Sequence, residues 1–214
     1  RSNKLMYDHN TKSLWSTIRG EPVVGPLVDQ GIRLRPHHVV TTTWGKWKAT
    51  HPKTTVLSVN TGHRRDYREG AAYRDYFATD ELMFPVPTQD DRLLNKDSVL
   101  IVRLAGTDRA LAYATKFLAK RPVFHAESQR TRYVILTDSS GASRVYQAED
   151  QQFERLLSDS ELIARDGSKW LVTAGAIASL EEPDRSLPRL PAHRAFWFGW
   201  HAAHPDTRLV ADDI

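Results

Sequence analysis

Nine histidines in a chain without cysteine raise metal chemistry first. His37 and His38 are adjacent, and His193, His201 and His204 lie close together. A zinc-type site needs three or four imidazole or carboxylate donors converging on one point. Adjacent histidines on a strand face opposite ways, and no Asp or Glu stands at helical ligand spacing beside His201 and His204. Packing is therefore the expected role. His51 and His204 close short helices, the other histidines sit on the surface, and no metal is expected.

Acid–base chemistry comes next. Asp66-Tyr67-Arg68 and Asp90-Asp91-Arg92 each hold an acid, a base and an anion clamp. Such neighbours equally pin loops through charge-assisted hydrogen bonds, which is the expectation here. There is no G-x-S-x-G, no phosphate loop and no H-E-x-x-H, so a familiar enzyme class and a cofactor are not expected. The absence of cysteine also excludes disulfides and a thiol nucleophile within these residues.

The elements that would position such groups repeat. TTWGKWKATHPKTTVL, from Thr42, aligns with AFWFGWHAAHPDTRLV, from Ala195, at a constant offset of 153. Trp44 falls on Trp197, Trp47 on Trp200, His51 on His204, Pro52 on Pro205 and Thr54 on Thr207. Upstream, SLWSTIRG from Ser13 matches SKWLVTAG from Ser168 at an offset of 155. Two matched Trp pairs, a His-Pro and a Ser-x-Trp in the same order read as an internal duplication.

In each copy Trp, Trp and His stand at i, i+3 and i+7, one face of a short helix. The following proline ends it, and KTTVL or DTRLV then has the composition of a short strand. Thr41, Thr42 or Thr43 can cap the first helix, and the second has no such residue. Between the copies, residues 61–97 are polar and rich in Tyr and Arg, with one helical turn expected near Asp80 to Met83. From Ser98 the pattern becomes strands: SVLIVRL, ALAYAT, then TRYVILTD and SRVYQAE flanking a Ser-Ser-Gly-Ala turn. A further turn is expected at Asp166-Gly167.

The expected fold is α+β. Two related units, each a small mostly antiparallel sheet with short helices, share a Trp-rich core. Residues 1–60 form the C-terminal part of unit one, 61–97 a connector and 98–214 unit two, all in one compact domain. Unit two places strands ahead of its Ser-x-Trp, and unit one has only twelve residues before Ser13. The natural chain is therefore expected to extend ahead of Arg1.

With 40% hydrophobic residues the chain can bury a proper core. No apolar run reaches the roughly 18 residues of a membrane helix, and no signal peptide is visible. Residues 1–70 carry 12 basic and 5 acidic side chains, a scattered excess that suits a solvated face, and nucleic acid is not the expected partner.

LMYDHNTKSLWSTIRGEPVVGPL, VVTTTWGKWKATHPKTTVLS, FPVPTQDDRL and AFWFGWHAAHPDT together resemble the bacterial and archaeal family termed domain of unknown function 3179. The resemblance implies an exported or lipid-anchored protein, periplasmic or otherwise extracytoplasmic, with no activity to carry over. It also implies a Cys-Pro-Leu segment upstream of the stretch matching Leu5 to Asp8. Ala174-Gly175-Ala176 departs from the Gly-Glu pair usual in the family.

The functional expectation is a non-catalytic accessory or binding subunit with a protein partner in the cell envelope. The rival is an enzyme of unrecognised class using unit one together with an upstream segment. Either would use Glu21, Thr42, Thr43, Trp44 and Lys46, which give unit one a carboxylate, hydroxyls, a cation and an aromatic wall where unit two has become apolar.

Overall fold

The computed structural model describes residues 3–104 and 109–212. The chain opens with β1 (Leu5–Asp8), β2 (Ser13–Ser16) and β3 (Glu21–Val24), followed by helices α1 (Trp44–Thr50) and α2 (Arg74–Ala78). Then come β4 (Ser98–Val102), β5 (Leu111–Ala114), α3 (Thr115–Ala119), β6 (Val123–Ser128), β7 (Thr131–Thr137) and β8 (Ser143–Gln147). The last elements are β9 (Phe153–Leu156), β10 (Glu161–Ala164), β11 (Lys169–Val172), β12 (Ala176–Ser179), β13 (Ser186–Pro188), β14 (Ala192–Phe196), α4 (Trp197–His201) and β15 (Arg208–Val210). The architecture is α+β, with short helices and small sheets.

Among the described residues, four sheets run β1-β2-β3, β14-β4-β5-β15, β6-β7-β8 and β13-β12-β11-β10-β9. Their pairings are antiparallel except that of β15 with β5, which is parallel. The three-stranded and five-stranded sheets are meanders of sequence neighbours, so local hairpins build them. The four-stranded sheet instead gathers strands from residues 98–114 and 192–210.

Two-sided burial explains why Val99–Val102 of β4 and Tyr133–Leu136 of β7 are apolar at every residue rather than at every second one. Val99 and Ile101 pack with Ala112, Leu209 and the indoles of Trp197 and Trp200. Leu100 and Val102, on the opposite face of β4, join Tyr113, Phe117, Tyr133 and Ile135. On β7, Tyr133 and Ile135 face that second core, and Val134 and Leu136 face a third with Phe153, Leu162, Trp170 and Leu187. The layers are thus α4, the four-stranded sheet, the β6-β7-β8 sheet and the five-stranded sheet. A strand covered on both faces reads as a continuous hydrophobic run.

Burial divides the chain sharply. Among the described residues before Val99, only Ser13 is buried. Gly25, at φ +104°, crosses so close to it that a Cβ there would lie 2.8 Å from the Ser13 Cα, so a side chain does not fit. Of the six tryptophans, Trp170, Trp197 and Trp200 are core residues, whereas Trp44 is 48% exposed.

Local expectations met the structure unevenly. The β7–β8 hairpin closes at Thr137 and Ser143, around the Ser-Ser-Gly-Ala turn. The helical turn expected at Asp80 to Met83 is not there, and α2 forms earlier. Asp80 is instead a loop anchor, its carboxylate accepting the backbone N–H groups of Asn95 and Lys96 at 3.0 Å each. The strand expected in KTTVL does not form; among the described residues none pairs with residues 53–57 to complete a ladder. DTRLV has one in β5.

Candidate functional site

Thr43 starts α1. Its extended backbone leaves the hydroxyl free to accept the Lys46 N–H at 3.3 Å. One turn on, the Trp47 indole N–H donates to Thr54 Oγ1 at 3.0 Å, and its ring stacks on His51 with centroids 3.8 Å apart. These contacts fix the inner side of α1 over a cleft of about 710 Å³. The opposite wall comes from the β7–β8 turn, Asp159, Thr173 and Arg189.

The charged groups that line the cleft are largely self-neutralised. Lys46 pairs with Asp159, whose carboxylate also accepts the Ser139 N–H and hydroxyl at 3.2 Å. Thr42 lies 3.4 Å from the Ser140 hydroxyl. Asp138 is buried, which by itself would raise its pKa. Hydrogen bonds from the Ser140 hydroxyl, Arg144 and the Ala142 and Ser140 backbone more than offset that and hold it below the usual carboxylate range.

Arg189 donates to the Ala174 carbonyl at 3.0 Å, and its Nε is buried without a hydrogen-bond partner. Burial, then Arg144, lowers its pKa, and burial followed by Arg189 and His37 lowers that of His38. The lining carboxylates are each matched to a cation, and Arg189 has no ion pair among the described residues. That balance suits holding an anionic group better than moving a proton.

Of the residues expected at a site, Thr42 and Lys46 line this cleft, together with Trp47. Thr43 is engaged as the cap, and the half-exposed Trp44 lies outside the lining. Glu21 is elsewhere, on β3, 3.6 Å from Arg19 and 3.4 Å from Arg33. Its field reaches Arg103 and His204 instead. Sequence spacing did not point to Asp138, Arg144, Asp159 or Arg189 as cleft residues. They reach it only through tertiary packing, and the Ser-Ser-Gly-Ala turn after Asp138 was the one local signal near them.

The two Asp-Arg neighbourhoods differ in reach. Asp66 and Arg68 make a bidentate pair within one exposed loop. Asp90 and Arg92 pair likewise, but Asp90 also accepts the Trp197 indole N–H and contacts His201 Nε2, both at 3.2 Å. Arg92 lies over the Trp197 ring, 5.3 Å from its centroid. This cluster clamps the FPVPTQDDRL stretch onto α4. Among the described residues no helix is long and apolar enough to cross a membrane.

The model of a protein family of unknown function, DUF3179, matches residues 1–207. The chain belongs to this family. No curated protein and no solved structure matches it. Both Trp-Trp-His stretches, the Asp90 clamp and the α1 cleft lie within the span matched to DUF3179.

One consequence is measurable as pH dependence. His204 stacks on Trp200 at 4.3 Å and His193 meets the same ring edge-on at 5.5 Å. Burial, then the nearby Arg103, depresses the pKa of both. A depressed folded value means the unfolded chain takes up protons first. Stability is then complete above about 6.5, the unfolded value, and falls as pH drops from there toward the folded values. Urea denaturation between pH 8 and 5 should show this decline, and His193→Gln with His204→Gln should flatten it. A curve unchanged by both substitutions would assign the decline to other groups.

Proposed function

We propose that this DUF3179 protein is a non-catalytic binding subunit of the cell envelope, built from two related units, that docks on a protein partner through the outward face of unit one. Residues 1–60 belong to unit one, 61–97 connect and 98–214 are unit two. The observation that carries the reading is the asymmetry of burial. Apolar side chains of the core begin at Val99, whereas Trp44, Val56, Leu57 and Val59 of unit one are exposed. Large apolar groups left in water over one region mark an interaction surface.

The duplication is supported by matched local contacts. Trp47 donates to Thr54 at 3.0 Å and Trp200 to Thr207 at 2.8 Å. Each of these indoles stacks on the histidine four residues later, His51 or His204. A binding role rather than a reaction is supported by the cleft, whose Lys46 and Arg144 are already paired with carboxylates. The extracytoplasmic setting rests on the family resemblance.

A photo-crosslinking residue at Leu57, which is 93% exposed, tests the docking face in the source organism. The expected outcome is one adduct of discrete mass from Leu57 in the envelope fraction and none from a control at exposed Glu154. Identical labelling from both positions, or none from Leu57, would remove unit one as the docking face.

A further inference from the structure

The loop between β11 and β12 holds Arg189 through carbonyl oxygens. Gly175 accepts the Arg189 backbone N–H at 2.8 Å and Ala174 accepts its Nη1 at 3.0 Å, while Thr173 accepts the Tyr146 hydroxyl at 2.7 Å. These bonds fix the guanidinium in the wall of the α1 cleft, with its Nε buried and without a hydrogen-bond partner. A carbonyl has no net charge, so a partly desolvated cation held this way still lacks a counter-ion. Asp138 does not serve. It is paired with Arg144 and also lends its field to Arg194, whose Nη2 donates to the Gly141 carbonyl at 2.9 Å and whose Nε is likewise buried and unpartnered. Two histidines apart, the cleft lining holds three cations, Lys46, Arg144 and Arg189, and two carboxylates, Asp138 and Asp159. Lys46 takes Asp159 and Arg144 takes Asp138, which leaves one positive charge, on Arg189.

We propose that the α1 cleft binds a small monocarboxylate with an apolar body, the carboxylate accepting hydrogen bonds from the Arg189 Nη groups and the body lying along Val40, Val172 and the Trp47–His51 stack. One unpaired guanidinium calls for one negative charge, and Arg–carboxylate hydrogen bonds are strong because both partners are ionised. A dianion such as phosphate would press its second charge toward Asp138 and Asp159, with no unpaired lining cation to meet it. The apolar and aromatic wall beside a single fixed charge, in a cleft of small-molecule size, is the mixture that selects an organic acid over an inorganic ion. This site lies on the inner side of α1 and stands apart from docking through the outward face.

The test titrates phenylpropionate into the intact, isotope-labelled protein and follows backbone amides by NMR, with phenylpropanol, acetate and inorganic phosphate in parallel. Amides of residues 138–142 and 172–175 should shift saturably with phenylpropionate. The alcohol, which lacks the charge, acetate, which lacks the body, and phosphate should each bind at least about tenfold more weakly. Arg189→Met removes a cation that has no ion pair among the described residues, so the ligand-free urea midpoint should hold while phenylpropionate weakens at least about tenfold. Arg189→Gln, which keeps a donor for the Ala174 carbonyl, gives the same comparison if the methionine variant does not fold. Arg155→Met takes the same charge from an exposed position outside the cleft and should leave binding unchanged. Equal affinity for acid and alcohol, phosphate binding as tightly as the acid, no saturable shift at the cleft, or Arg189 variants that bind like the unaltered protein would each overturn the proposal. So would an equal loss in Arg155→Met, which would reduce the effect to overall charge.

Discussion

Trp200→Ala should destabilise the protein by about 3–5 kcal/mol, the cost of emptying a tryptophan-sized site in a packed core. The indole is fully buried between β4, β5 and β15, and its N–H donates to Thr207. Truncation removes that packing and leaves the Thr207 hydroxyl oxygen without the indole donor it accepts from. Trp44→Ala, at a half-exposed position in the repeated helix, should cost under about 1 kcal/mol. Urea midpoints of the two variants give the comparison. Equal losses would mean that α1 is as deeply packed in solution as α4.

Arg144→Ala carries the other large effect. Asp138 has a side chain only 3% exposed, and Arg144 at 2.9 Å is its cation. Removing the guanidinium leaves a buried carboxylate with hydroxyl and backbone donors alone, at an expected cost of about 2–4 kcal/mol near neutral pH. The sign of the pH dependence follows from the depressed carboxyl. Its contribution is present above the ordinary carboxylate range and is lost as pH falls through the folded value. The gap between wild type and Arg144→Ala should therefore narrow in acid, where Asp138 is protonated in both. A gap that stays constant from pH 7 to 3 would show that the loss is one of packing rather than charge.

What the sequence disclosed was what sequence neighbours decide. β4, β5, β7, β8 and the turn between the last two follow from apolar runs and a Ser-Ser-Gly-Ala signal, and a threonine cap from residue type, with the structure choosing Thr43 among Thr41, Thr42 and Thr43. β6 and α3 went unread because VFHAES and TKFLA carry weak local patterns and are held by β7 and by the core around Phe117. Arg74–Ala78 escaped because its first turn follows Tyr73 in a left-handed conformation at φ 60°, which residue type did not announce. KTTVL and DTRLV show the limit most plainly: near-equal compositions give a strand only where an edge such as β5 waits. The cleft was half legible for the same reason. Thr42 and Lys46 lie within the repeated stretch, and the charges that meet them arrive from residues 138–189.

The two-sided burial of β4 sets how the molecule can fail. Because neighbouring side chains of Val99–Val102 serve different cores, a slip of one residue would exchange the contents of both at once. No solvent face exists to absorb the error. β7 ties the second core to the third in the same way. Three cores joined by two shared strands behave as a single cooperative unit, so a subglobal opening that spares one of them has no hinge at which to begin.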